Sequence, residues 1–214
     1  MKRAAALKRY HELPLPTTSQ ENWRFTDLTG FDPAAYELAE AARPVEIAPL
    51  IELELAGRAR IDESGVEILA APDGVVFAPL DKKDKRIGTL VAVKDKIGAA
   101  NAALWRHGLL VEVPAGVELA EPLHVRIEST VAGAALPTRL LVVAGENSRF
   151  TLIEEHVSAA EGLDAFTNCA VEVQVGTGAK LELVSVQRLS RETWHFADQR
   201  EAAVFSGHDE QASG

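Results

Sequence analysis

Apolar positions recur along this chain with two periods, and the longer one organises its second half. Val111, Val113, Gly116, Val117 and Leu119 are followed by Val142, Ala144, Asn147, Ser148 and Phe150, and these by Val173, Val175, Gly178, Ala179 and Leu181. Each step is 31 residues, from 111 to 142 to 173. Within a copy the apolar residues alternate with a period of two, the signature of a strand. Each copy is broken at a glycine or asparagine, where a positive φ costs least. A fourth copy begins with Val204, Gly207 and Asp209. Repetition at this interval predicts stacked units. Val111, Val142, Val173 and Val204 are then neighbours in parallel strands, with Gly116, Asn147 and Gly178 at aligned turns. Because 31 residues exceed one compact rung, a period holds either one long coil or two short ones.

The first half carries other patterns. Lys2 to Tyr10 predicts a short basic helix, stopped by Pro14 and Pro16. Thr18 and Glu21 have capping-box spacing ahead of the aromatic stretch Trp23 to Leu28. Asp32 before Pro33 predicts an N-cap and a helix running to about Arg43. From Val45 to Phe77 the pattern alternates: Ile51, Leu53 and Leu55 share one face, and Val66, Ile68 and Val75 to Phe77 follow between glycines. Asp81 to Arg86 (DKKDKR) is a solvated charged loop. Lys94 to His107 predicts a helix with Gly108 as C′, placed to cap the open end of the stack. The division expected is residues 1–107, helical with a small strand-rich unit, and residues 108–214, a parallel β-helix. The fold class is mainly β.

Strand parity fixes which way side chains point. The face holding Leu119, Phe150 and Leu181 continues as Leu123, Val125 and Ile127 in the first copy. At a step of 31 the matching positions are Glu154, His156 and Ser158, then Ser185, Gln187 and Leu189. The interior therefore turns polar along the stack. Glu118, Arg149, Lys180, Arg126 and Arg188 fall on the opposite face, which suits solvent.

Composition narrows the function classes. A net charge of −10 lacks the basic footprint that a nucleic-acid partner requires. Cys169 is the only cysteine, so an intramolecular disulfide is excluded and one thiol alone holds no metal cluster. There is no apolar run of membrane-spanning length and no signal-peptide core at Met1 to Tyr10. The cytoplasm is the expected location. No phosphate loop, paired-cysteine motif or nucleophile elbow is present, so no residue is assigned a catalytic, cofactor-binding or metal-ligating role.

What remains is the interior polar set Glu154, His156, Ser185 and Gln187, and three readings of it stay open. One is a hydrogen-bonded ladder that serves only fold specificity. Another is a polar lumen that handles a thiol, a sulfur species or a metal ion. The third puts function elsewhere, in a polysaccharide-cleaving site on an outer groove, which needs clustered acids with a basic partner; nothing in the sequence pairs them. A plain structural interaction module, self-associating into a homodimer through an exposed last rung, is a further class.

Several stretches carry a resemblance. Glu21 to Leu28 (ENWRFTDL), Asn101 to Gly108 (NAALWRHG) leading into Val113 to Val117 (VPAGV), Leu141 to Asn147 (LVVAGEN) followed by Phe150 to Glu155 (FTLIEE), Thr167 with Asn168, and Val184 to Gln187 (VSVQ) resemble the SufB/SufD family of iron–sulfur cluster assembly scaffolds, its SufD branch in particular. The resemblance runs in order along nearly the whole chain. It implies a small N-terminal helical region, a right-handed parallel β-helix, and a non-enzymatic scaffold that works with a SufB-like paralogue and a SufC-like ATPase. The assembly handles Fe–S clusters, and this chain alone is expected to bind no cofactor. The family's helical SufC-docking end and its later β-helix strands, with their cluster-related cysteine and histidine, are expected to be missing, as in a fragment or a truncated homologue. Gln187 matches a glutamine that SufB also keeps, and His156 falls where SufB has a cysteine.

Overall fold

The computed structural model describes residues 2–204. In chain order the elements are α1 (Arg3–Glu12), β1 (Gly57–Asp62), β2 (Gly65–Ala70), β3 (Val76–Pro79), α2 (Lys96–Leu104), β4 (His107–Val113), β5 (Leu123–Ser129), β6 (Ala134–Ala144), β7 (Arg149–Ser158), β8 (Ala165–Gly176), β9 (Lys180–Arg188) and β10 (Thr193–Val204). From β4 onward the chain alternates between two sheets. One has the order β2-β1-β5-β7-β9 and the other β10-β8-β6-β4-β3. The pairs β1–β5, β5–β7 and β7–β9 are parallel, as are β4–β6, β6–β8 and β8–β10. The result is a β-solenoid of about three turns, the mainly β stacked fold expected from the repeat.

The 31-residue register sets the stacking. Val111 lies beside Val142 and Val142 beside Val173. The turns recur as predicted, with φ of 73° at Gly116, 54° at Asn147 and 70° at Gly178. Each period is one coil with two long strands, not two short coils. The fourth copy departs from the pattern. Glu201, not Val204, pairs with Val173, and Val204 pairs with Gly176. The chain needs eight residues to pass from Val157 to Ala165 but five from Arg188 to Thr193, the position beside Ala165, so the last step is 28. Gly207 and Asp209 lie outside the described residues.

A smaller slip occurs inside the first period. Leu123 pairs with Leu152, Val125 with Glu154 and Ile127 with His156, two residues short of the expected 31. The corner at Ala120 to Pro122 holds two extra residues and the opposite corner two fewer, so β6 and β8 are again 31 apart. An even slip leaves every side chain on its face. The interior is packed by Leu109, Val111, Val113, Leu123, Val125, Ile127, Leu140, Val142, Phe150 and Leu152, all nearly or wholly buried. Each such side chain contributes about 1.5–3 kcal/mol relative to exposure.

The strand-rich stretch before residue 107 joins these sheets directly. β1 forms a parallel rung beneath β5, and β2 and β3 turn antiparallel to β1 and β4 at that end. α2 therefore does not cap the stack as expected. It lies on the outer face of β6 and β8, where Asn101 Nδ2 donates to the Thr138 and Asn168 carbonyls at 3.0 and 2.8 Å. Asp95 caps its N-terminus, accepting from Gly98 N, and it ends before Gly108. Gly108 sits in β4 opposite Arg139, because a Cβ there would stand 2.5 Å from the Arg139 carbonyl oxygen.

Other N-terminal expectations shrink. Asp32 does cap, accepting from Ala34 N, but only a 3-10 turn, Pro33–Ala35, follows. Beyond it Glu37 leaves the helical path, donating to the Gly133 carbonyl while its own carbonyl accepts from Ala135 N. The capping box before Trp23 is replaced by a short turn, Glu21–Trp23, with Gln20 as an N-cap that makes no side-chain bond. Trp23 packs on Phe196 at the edge of an aromatic cluster with Phe31, Phe166 and Trp194, whereas Phe25 is 89% exposed. The alternation at Ile51, Leu53 and Leu55 forms no strand. Arg126 donates to the Ile47 and Ala48 carbonyls and Arg188 to that of Ala48, which drapes this segment over the outer face of the sheet that holds β5, β7 and β9. The charged loop is partly built in as well: Arg86 pairs with Asp84 at 2.7 Å and with Glu112 at 2.8 Å.

Candidate functional site

The solenoid interior is apolar through its first turns and then changes character between β7 and β8. On β7, the parity of Phe150 and Leu152 carries inward to Glu154 and His156, 3% and 1% exposed. On β8, the parity of Val171 and Val173 carries inward to Cys169 and Thr167, both buried, with Thr138 of β6 beside Cys169. His156 Nε2 and a Glu154 carboxylate oxygen share a short hydrogen bond. One ligand atom each from Glu154, His156 and Cys169 lie within 4.8 Å of one another. His195 of β10 closes the group: its ring lies 4.6 Å from that of His156, and its Nδ1 is 2.7 Å from Thr167 Oγ1.

Burial sets the electrostatics. It pushes the Cys169 thiol well above its ordinary pKa, and the nearby Glu154 charge adds to the effect. Burial, with His156 alongside, pulls His195 down to about 4. Two imidazole nitrogens, His156 Nδ1 and His195 Nε2, are shielded from solvent and have no hydrogen-bond partner among the described residues. A carboxylate, imidazoles and a thiol in one dry pocket form a mixed O, N and S donor set.

Of the expected ladder, Glu154 and His156 come together inside. Ser185 and Gln187 stand beside them in register on β9, but both are exposed. Among the described residues β9 is the edge strand of its sheet, so these two side chains form the rim of the lumen and make no bond to the pair below. Cys169, Thr138, Thr167 and His195 are the residues that the sequence reading did not join to this site. Their signal was the inward parity of Cys169 and Thr167 with Val171 and Val173, on the sheet across the lumen.

An acid cluster also exists on an outer groove, although the sequence offered no pairing for one. Glu155, behind the interior site, accepts from His124 Nε2 at 2.9 Å. Arg126 Nε lies 3.4 Å from Glu128 and 3.6 Å from Glu155, and Arg60 reaches Glu128 at 4.0 Å. These residues line a cavity of about 380 Å³ beneath Val45 to Ile51. The guanidinium occupies the space between the two carboxylates, where a glycosidic oxygen and its water would have to sit.

The interior site lies in the part of the chain that known proteins share. A family model described as "SUF system FeS cluster assembly, SufBD core domain" matches residues 126–207. Residues 126–207 are thus similar to a SufBD core domain. The iron–sulfur cluster assembly protein SufD of Bacillus subtilis is 25% identical over 94% of this chain, and a SufBD family protein of Staphylococcus haemolyticus is 22% identical over 99%. The chain spans about half the length of these curated relatives, 51% in each case. The matched stretch, residues 126–207, contains Glu154, His156, Cys169 and His195. No helix among the described residues is long and apolar enough to cross a membrane.

Proposed function

We propose that this chain acts in iron–sulfur cluster assembly as a SufD-like scaffold, without catalytic turnover of its own, alongside a SufB-like paralogue and a SufC-like ATPase in the cytoplasm. The observation that carries this reading is the SufBD core match over residues 126–207, set within SufD similarity along 94% of the chain. The solenoid supports it physically. Among the described residues its two sheets have β9 and β10 as edge strands at one end, and edge strands are what further strands pair with. No Fe–S cofactor is assigned to the chain itself; the cluster is cargo of the assembly.

The test is rescue of Fe–S enzyme activity in cells that lack their SufD, with the chain expressed beside the remaining Suf components. Recovery of a cluster-dependent dehydrogenase supports the scaffold reading. Failure at normal expression, with the chain absent from SufB pull-downs, overturns it. The polysaccharide-enzyme reading predicts glycan cleavage that is lost in Glu155→Gln. The bridging Arg126 argues against that activity.

A further inference from the structure

We propose that Glu154, His156 and Cys169 form a binding site inside the solenoid for a borderline-soft divalent ion of the zinc or iron(II) type. This rests on the side chains alone and holds whether or not the scaffold reading does.

The donor set has the right chemistry. Imidazole and thiolate suit zinc and its neighbours, while a pure carboxylate site would suit magnesium or calcium. The charges also match: one carboxylate and one thiolate neutralise a divalent ion when the imidazole is neutral. That balance matters in a lumen where an uncompensated ion pays a heavy desolvation cost. Bond lengths of about 2.0–2.3 Å place tetrahedral ligand atoms about 3.5 Å apart. The ligand atoms lie within 4.8 Å of one another, so side-chain rotations that move them by about an ångström, opening the His156–Glu154 pair and drawing in Cys169, reach that geometry.

Binding is a proton exchange. The Cys169 S–H bond breaks and its proton leaves to solvent as the S–metal bond forms. The proton held between His156 Nε2 and Glu154 shifts to His156 Nδ1, which has no partner among the described residues, keeping the imidazole neutral, and the two freed atoms bond the ion. His195 Nε2, without a partner among the described residues, stands next to this group, its ring 4.6 Å from that of His156, and is the side chain to support a fourth position there. The route in passes the exposed rim at Ser185 and Gln187, one strand above the pair.

The test is an anaerobic titration of the purified chain with Co²⁺, read by absorption. Cys169 is the sole cysteine, so any thiolate-to-cobalt charge-transfer band must come from it. The expected result is that band, with the d–d bands of a tetrahedral site, saturating at equimolar cobalt and displaced by Zn²⁺. Cys169→Ser should lose the band, and His195→Ala should weaken binding about 10–100-fold, as for a supporting partner. Absence of the thiolate band in the folded wild-type chain overturns the proposal, even if variants fail to fold. Cobalt binding without cluster-assembly rescue sinks the scaffold reading and keeps the site; rescue without cobalt binding does the reverse.

Discussion

Glu172 of β8 and Arg139 of β6 form an ion pair at 3.0 Å on the outer face of their sheet, with both side chains almost wholly buried. Glu172 also accepts from the backbone N–H groups of Gly88, Leu90 and Val91 at 2.6, 2.9 and 3.4 Å, while Arg139 donates to Asn101 Oδ1 at 2.9 Å. One carboxylate thus ties the loop before α2 to the solenoid. Glu172→Ala leaves a buried guanidinium without its counter-charge and these amides without their acceptor, and should lower stability by about 3–5 kcal/mol. The double change Glu172→Leu with Arg139→Met should be milder than Glu172→Ala. Urea unfolding of the three proteins decides it; equal losses would mean the pair is not the cause.

Acid should weaken the fold through His124. Burial pulls its pKa below the ordinary value of about 6.5. Arg58 and Arg126 act in the same direction, while the facing Glu155 opposes without winning. As pH falls through about 6.5, the unfolded chain takes up a proton that folded His124 refuses, so stability drops with pH. The Glu128 carboxyl, raised by burial, works in the opposite sense. The informative quantity is therefore the difference between wild type and His124→Gln. The variant should lose less stability between about pH 7.5 and 5.5. Parallel pH profiles would remove His124 from the account.

The aligned turns give a prediction in which one glycine matters more than another. A Cβ at Gly116 meets nothing within 4 Å, whereas at Gly178 it would stand 2.3 Å from Asn147 Oδ1 of the turn below. Both have positive φ, which costs a residue other than glycine about 1–2 kcal/mol. Gly116→Ala should show that cost alone, and Gly178→Ala a larger one. Pairing Gly178→Ala with Asn147→Gly should recover the excess. Melting temperatures of the four proteins test this.

The turns were also the most legible part of the sequence, because stacking forces a positive φ at the same point of every coil and few residue types tolerate it. The slips were not legible. Two residues gained at Ala120 to Pro122 and lost at the opposite corner cancel over a full period, so the 31-residue interval hides a pairing in which Leu123 meets Leu152. The shorter corner before Thr193 has no sequence marker either, and it moves Glu201 to where Val204 was expected. At the candidate site, Glu154 and His156 were visible from strand parity. Cys169 shares inward parity with Val171 and Val173, but which β7 residues it meets across the lumen is a relation no spacing encodes. The helix expected from Pro33 failed because its capping signal is local, while the bonds of Glu37 to Gly133 and Ala135 are tertiary.

The boundary between dry interior and wet rim runs between β7 and β9, and a pair of substitutions locates it. His156 is 1% exposed and hydrogen-bonded to the buried Glu154, whereas Gln187, directly beside it in register, is exposed. His156→Leu keeps roughly the same volume but strips Glu154 of its partner in a low-dielectric space, so it should cost about 3–5 kcal/mol. Gln187→Leu touches no bonded group and should stay within about 0.5 kcal/mol. Adding Glu154→Leu to His156→Leu removes the stranded carboxylate and should restore much of the loss, the behaviour of a buried pair replaced by apolar residues. Urea unfolding of all four proteins is the measurement. A large cost for Gln187→Leu, or none for His156→Leu, would mean the interior closes one strand later than the structure places it.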